Sequence, residues 1–151
     1  MSAPLEATKQ VVRRHFEALN ARDYEDLAAI HHVDGRNHAR AAFDLSEWPP
    51  AGKPFGPDEV QGTFEWLTGG FPDLRVQLLD LVAENEKVVA RLRMTGRHDG
   101  EFAGLAPSGR KLDVEHIHMF RVVGGLVAEH WAVREDLKAM LQLGIVALPT
   151  H

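Results

Sequence analysis

Residues 112–136 read LDVEHIHMFRVVGGLVAEHWAVRED. Two runs flank Gly124-Gly125, and the first alternates apolar and polar residues. A pair of glycines, both tolerant of positive φ, between two such runs predicts a tight β-hairpin. With those glycines as the loop, Val123 pairs with Leu126, Val122 with Val127, Phe120 with Glu129 and His118 with Trp131. Side chains alternate between faces of a strand. One face is therefore expected to carry His116, His118, Phe120, Val122, Val127, Glu129, Trp131 and Val133. The other is expected to carry Ile117, Met119, Arg121, Val123, Leu126, Ala128, His130 and Ala132. The first face is bulky and apolar, yet it holds two imidazoles and a carboxylate. That mixture suits the wall of a ligand pocket better than a plain core.

The chain has 151 residues, 44% of them hydrophobic and 26% charged. These are the proportions of one ordinary globular domain, expected to span residues 1–151. A net charge of -5 and a pI near 6.0 argue against nucleic acid as a partner, since that needs a basic patch. No apolar run is long enough for a membrane span, and the N-terminus lacks a secretory profile, so a cytoplasmic location is the default expectation. The absence of cysteine excludes disulfides, thiolate metal sites and a cysteine nucleophile. Nine histidines are many for this length.

Outward from the hairpin, the pattern predicts helices first and strands later. Leu5, Val12, Phe16 and Leu19 share a helical stripe over Pro4–Asn20. Asp23 is placed to cap a second helix carrying Tyr24, Leu27 and Ile30. His31-His32 would end that helix, where an imidazolium complements the dipole. Val33 to Gly56 reads as an irregular, aromatic lid containing Phe43, Leu45 and Trp48, with Asn37-His38 on a short strand. Pro57 and Asp58-Glu59 open a third helix that Gly69-Gly70 ends. Leu74–Glu84 and Lys87–His98 read as strands, a glycine-rich loop follows, and Glu135-Asp136 starts a closing helix stopped by Gly144. This order means α+β, with helices packed on one face of a mostly antiparallel sheet.

Four passages carry a resemblance to a known family. They are Phe71-Pro72-Asp73; Gly96-Arg97-His98-Asp99-Gly100 running on to Phe102-Ala103-Gly104; Pro107-Ser108-Gly109-Arg110; and Ile117 to Trp131 with Gln142-Leu143-Gly144. Together they resemble the SnoaL-like polyketide cyclases (ester cyclases) of the NTF2-like superfamily. The resemblance implies an NTF2-like cone: a curved sheet around the N-terminal helices, enclosing a hydrophobic pocket. It also implies no cofactor, a hydrophobic small-molecule ligand and homo-oligomers formed through the sheet. Family cyclases close a ring by intramolecular aldol condensation of a methyl ester, and relatives include isomerases, dehydratases and non-enzymatic binding domains.

Such chemistry needs a base, donors for the enolate oxygen and a dry site. His118, which matches a family histidine, and Glu129 are the expected catalytic pair, diagonal across the hairpin. A neighbouring carboxylate would keep His118 more basic and set its tautomer. The alternative is a buried His–Glu hydrogen bond that only satisfies two polar groups. His38, His98, His116, Phe102, Phe120 and Trp131 are expected around the ligand, with His38 and His98 donating to its oxygen; a loop-fixing contact is the other reading of those two. Trp66 lies off its helical stripe and reads as facing a partner subunit, and His15 and His130 as surface or interface residues. The family's acid/base carboxylate aligns with Ala132, directly after the strand tryptophan. Glu135 and Asp136 lie just downstream, but a helix N-terminus accounts for both. His116-x-His118 also has metal-ligand spacing, but it needs a third ligand at His98, His38 or Glu129, so no metal is expected. The alternative to an enzyme is a non-catalytic ligand-binding or protein-interaction module on the same scaffold.

Overall fold

The computed structural model describes residues 2–40 and 52–150. Phe43, Leu45 and Trp48 of the expected lid lie outside the described residues. The elements are α1 (Ser2–Ala21), α2 (Tyr24–Ala29), β1 (His31–Asn37), β2 (Lys53–Pro54), α3 (Pro57–Gly70), β3 (Arg75–Glu84), β4 (Lys87–Arg97), β5 (Lys111–Val123), β6 (Leu126–Arg134) and α4 (Asp136–Gln142). The strands form one curved, unclosed, mixed sheet in the order β2-β1-β6-β5-β4-β3. β1 runs parallel to β6, and the other neighbours are antiparallel.

Local chemistry explains the helix limits. Asp23 accepts a hydrogen bond from the Asp26 N–H and caps α2. Pro57 stands in the first turn of α3, where its missing N–H costs nothing. α3 ends at Gly70, as the double glycine predicts, with Phe71 as its C-cap. Gly70 also serves a close approach, since a Cβ there would lie 2.7 Å from the Cβ of Phe102. The segment expected to be irregular begins as a strand: Gly35 lets the backbone of Phe55 approach, and the Phe55 N–H donates to its carbonyl at 2.8 Å.

The core lies between α1 and the sheet. Val12, Phe16 and Leu19 pack on Leu74, Val76, Val88, Ala90, Leu92 and Phe120. Asn20 pins the helix end to edge strand β3, donating to the Val76 carbonyl and accepting from its N–H, both at 2.8 Å. Gln142 docks α4 in the same manner on Asp113 of β5. A smaller cluster of Ala18, Leu27, Phe55 and Val60 joins α1, α2 and α3.

The hairpin turns where expected. Gly124 and Gly125 both have positive φ, 58° and 77°, and Val123 pairs with Leu126. The simple register fails further along. Ala128 has no partner, and beyond it Arg121 faces Glu129, Phe120 faces His130 and His118 faces Ala132. This one-residue bulge exchanges the two faces of β6. Glu129, Trp131 and Val133 turn away from the helices, and His130, Ala132 and Arg134 turn toward them.

Candidate functional site

The inner face of the sheet, α3, α4 and the loop after β4 surround a cavity of about 420 Å³. Its apolar lining includes Phe55, Phe64, Trp66, Phe71, Phe102 and Met94. Its polar groups are few: Asn37, Thr63, His116, His118, His130, Arg134 and Asp136. Trp66 also lines the cavity, with its ring 4.5 Å from that of Phe102, while about half of its surface stays exposed at 54%.

Three imidazoles form a hydrogen-bonded row along the inner face. His116 Nδ1 lies 3.2 Å from His118 Nε2, His118 Nδ1 lies 2.7 Å from His130 Nε2, and His130 Nδ1 lies 2.8 Å from Asn37 Oδ1. The first link joins alternate residues of one strand, and the second crosses to β6 because of the bulge. The third crosses to β1, where Asn37 pairs with His130 in the parallel ladder. Burial drives all three toward the neutral form: His116 is lowered to about 4, His130 to about 3, and His118 well below its ordinary value. Neighbouring imidazoles add to this at His118. At His116, Arg134 opposes protonation while Asp136 and Glu135 favour it.

His118 and Glu129, expected as a pair, do not share a face. Glu129 instead accepts from Arg121 Nε at 2.6 Å and lies 3.3 Å from His38 Nε2. Arg121 first, then His38, hold its carboxyl below the usual range. His38 stacks on Trp131 with ring centres 5.0 Å apart, so His38, Glu129 and Trp131 form an outer-face cluster away from the cavity. Phe102 does line the cavity. Phe120 lies behind it in the core, against His15, Phe16, His118 and His130. His98 is buried behind Phe71 and Phe102, with Nδ1 2.8 Å from Ser108 Oγ. Its contact is with the loop that carries Phe102.

The remaining histidines also differ from expectation. His15 and His130 are buried rather than at the surface. His31 opens β1 and donates from Nδ1 to the Leu27 carbonyl at 2.7 Å, satisfying an orphan carbonyl of α2. Burial lowers it to about 4, so it acts as a neutral donor and not as an imidazolium on the dipole. Ala132, on the inner face opposite His118, leaves Asp136 as the carboxylate at the cavity, held by Arg134 Nε at 3.2 Å. Glu135 is turned aside to accept from the Glu115 N–H. Sequence reasoning missed Asn37, His130 and Arg134 as cavity residues. A bulge at a small residue such as Ala128 leaves no mark on the alternation, because alanine fits either face.

Residues 9–143 match the family model for SnoaL-like polyketide cyclase. The chain is 28% identical over 135 residues to aklanonic acid methyl ester cyclase DnrD of Streptomyces peucetius, covering 89% of this chain and 88% of that protein. It is 30% identical over 120 residues to aklanonic acid methyl ester cyclase AcmA of Streptomyces galilaeus, covering 79% of this chain and 78% of that one. Among solved structures, IdmH of Streptomyces antibioticus superposes with a TM-score of 0.76 at 28% identity, over 91% of this chain and 98% of that chain. AclR of Streptomyces galilaeus superposes with a TM-score of 0.80 over 97% of this chain and 87% of that chain; at 22% identity it bears on the fold alone.

Proposed function

This chain belongs to the SnoaL-like polyketide cyclase family, and from that premise we propose that it performs cofactor-independent acid/base catalysis on a hydrophobic, carbonyl-bearing small molecule. The reaction is an intramolecular aldol closure of the polyketide-cyclase type, or a related isomerisation or lyase step. The observation that carries this reading is the row of neutral imidazoles along the wall of an otherwise apolar cavity. Neutral imidazole is a base, and a dry apolar setting strengthens each polar contact made there. A proton leaves the carbon beside a carbonyl and binds an imidazole nitrogen, while the electron pair moves onto the carbonyl oxygen. Arg134 Nη1, on a cavity-lining side chain and without a partner among the described residues, is the donor for that oxygen. The resulting enolate attacks a ketone of the same molecule and closes the ring. Methyl ester cyclases among its relatives favour an aromatic polyketide substrate. Self-association through the outer sheet face, where Ile117 and Val133 are exposed, belongs to the same reading.

Incubation with hydrophobic ketones and 1,3-dicarbonyl compounds in D2O tests it. The expected result is deuterium uptake at the carbon between or beside the carbonyls, abolished in His118→Ala with the fold retained. Ala132 favours the second reading, a non-catalytic ligand-binding module, because no carboxylate stands opposite His118. Ligands that raise the melting temperature without any exchange would support that reading and overturn catalysis.

A further inference from the structure

The polarity of the imidazole row can be worked out from one backbone group. The Ala39 N–H can only donate, and the Asn37 side-chain atom it meets at 3.0 Å must be the amide oxygen. That same oxygen lies 2.8 Å from His130 Nδ1, so Nδ1 carries the hydrogen. A neutral His130 then has a bare Nε2, which accepts from His118 Nδ1–H at 2.7 Å. His118 in turn has a bare Nε2, which accepts from His116 Nδ1–H at 3.2 Å. The row ends at His116 Nε2, which has no partner among the described residues and belongs to a cavity-lining side chain.

We propose that His116 is the catalytic residue that takes the substrate proton, at Nε2, and that His118, His130 and Asn37 are positioning residues that keep this nitrogen bare. The proposal rests on the acid/base reading above. The neutral histidine side chain in water favours hydrogen on Nε2, so the row holds all three rings in the less favoured tautomer. Every N–H in the row is engaged by the next group along it, and the bare terminal nitrogen belongs to a side chain that lines the cavity. In the step, the substrate C–H bond breaks, an N–H bond forms at His116 Nε2, and the electron pair stays on the substrate as the enolate. Transfers along the two N–H···N links spread the positive charge over three rings. Asn37 cannot accept the proton, so the row is closed at its far end. The proton leaves by the nitrogen at which it arrived, onto the alkoxide formed by ring closure. The charged and titratable groups around the row are Arg134, Glu135 and Asp136 at His116, His15 from α1, and His31 and His38 from the β1 side.

The test is long-range 1H–15N correlation on protein labelled in its histidines, near neutral pH and without ligand. His116, His118 and His130 are expected as Nδ1–H tautomers, assigned by single substitutions. Asn37→Leu removes the terminal acceptor; it is expected to mix the tautomers and to lower kcat about tenfold or more. Asn37→Asp restores an acceptor, and should recover the tautomers and part of kcat with an acid limb moved to higher pH. His116→Gln keeps a donor toward His118 but no basic nitrogen, and should lower kcat about 100-fold or more. Hydrogen on His116 Nε2 in the native protein, with exchange activity intact, would overturn the relay while leaving acid/base catalysis standing. The expected tautomers with no exchange on any carbonyl compound would overturn the base role of His116 together with the functional reading.

Discussion

Glu129 meets Arg121 across the β5–β6 hairpin, its Oε2 accepting from Nε at 2.6 Å, on the sheet face turned away from the helices. The carboxylate that the simple register assigned to the pocket is therefore an outer-face ion pair. Glu129→Gln is expected to leave turnover within about twofold of the native rate. Because the pair is partly solvated, its loss should cost no more than about 1 kcal/mol, read from urea unfolding. Loss of turnover in this variant would return Glu129 to the site.

Stability should fall on the acid side of neutrality. His31 and His116 are held to about 4 and His130 to about 3, against an ordinary value near 6.5. The unfolded chain therefore takes up protons that the folded chain refuses, and stability rises with pH across this interval. The contribution is complete above about pH 6.5 and is lost progressively down to the folded values. By about pH 4.5 the loss should reach several kcal/mol, a large share of typical total stability. Circular dichroism against pH would show the midpoint. His31→Gln, which keeps a donor for the Leu27 carbonyl but does not titrate, should move that midpoint to lower pH.

The loop that delivers Phe102 to the cavity depends on one close approach. The Gly100 N–H donates to the Gly70 carbonyl at 3.1 Å, and a Cβ at Gly100 would lie 1.9 Å from the carbonyl oxygen of Gly69. Backbone cannot yield there as a flexible side chain would. Gly100→Ala should destabilise by at least about 2 kcal/mol, lowering the melting temperature by about 4 °C or more. It should also weaken ligand binding, through the displaced Phe102 ring. Gly69→Ala is the control, because a Cβ there meets nothing within 4 Å.

Ala132 pairs with His118 on the inner face. Ala132→Asp would place a carboxylate beside the imidazole row, at the position that aligns with the family's acid/base residue. A nearby negative charge favours imidazolium, so the titration of His118, followed by NMR, should move upward. The acid limb of unfolding should shift with it, in the direction of greater acid tolerance. An unchanged His118 titration would mean that the new carboxylate does not face the row.

Much of the architecture was legible in local chemistry. The double glycine predicted its turn, because few residues other than glycine accept positive φ at two successive positions. Asp23 and Pro57 marked helix starts through the unsatisfied N–H groups there. The stripe of Val12, Phe16 and Leu19 marked the helix face that the core covers. The strand that begins the segment read as irregular was not legible in the same way, since His31–Asn37 pairs with β6, a partner far along the chain.

What the residues by themselves determined, then, was the order and kind of the elements, and hence the α+β class, because propensity, caps and turns act over a few neighbours. What only the tertiary structure decided was which side chains meet in the cavity. One unpaired residue, Ala128, reversed the faces of β6, removing Glu129 and bringing in His130. The parallel pairing of β1 with β6 then set Asn37 against His130, 93 positions away in the chain. Such contacts are fixed by the register of distant strands, and the alternation within one strand reads the same whichever face is turned inward.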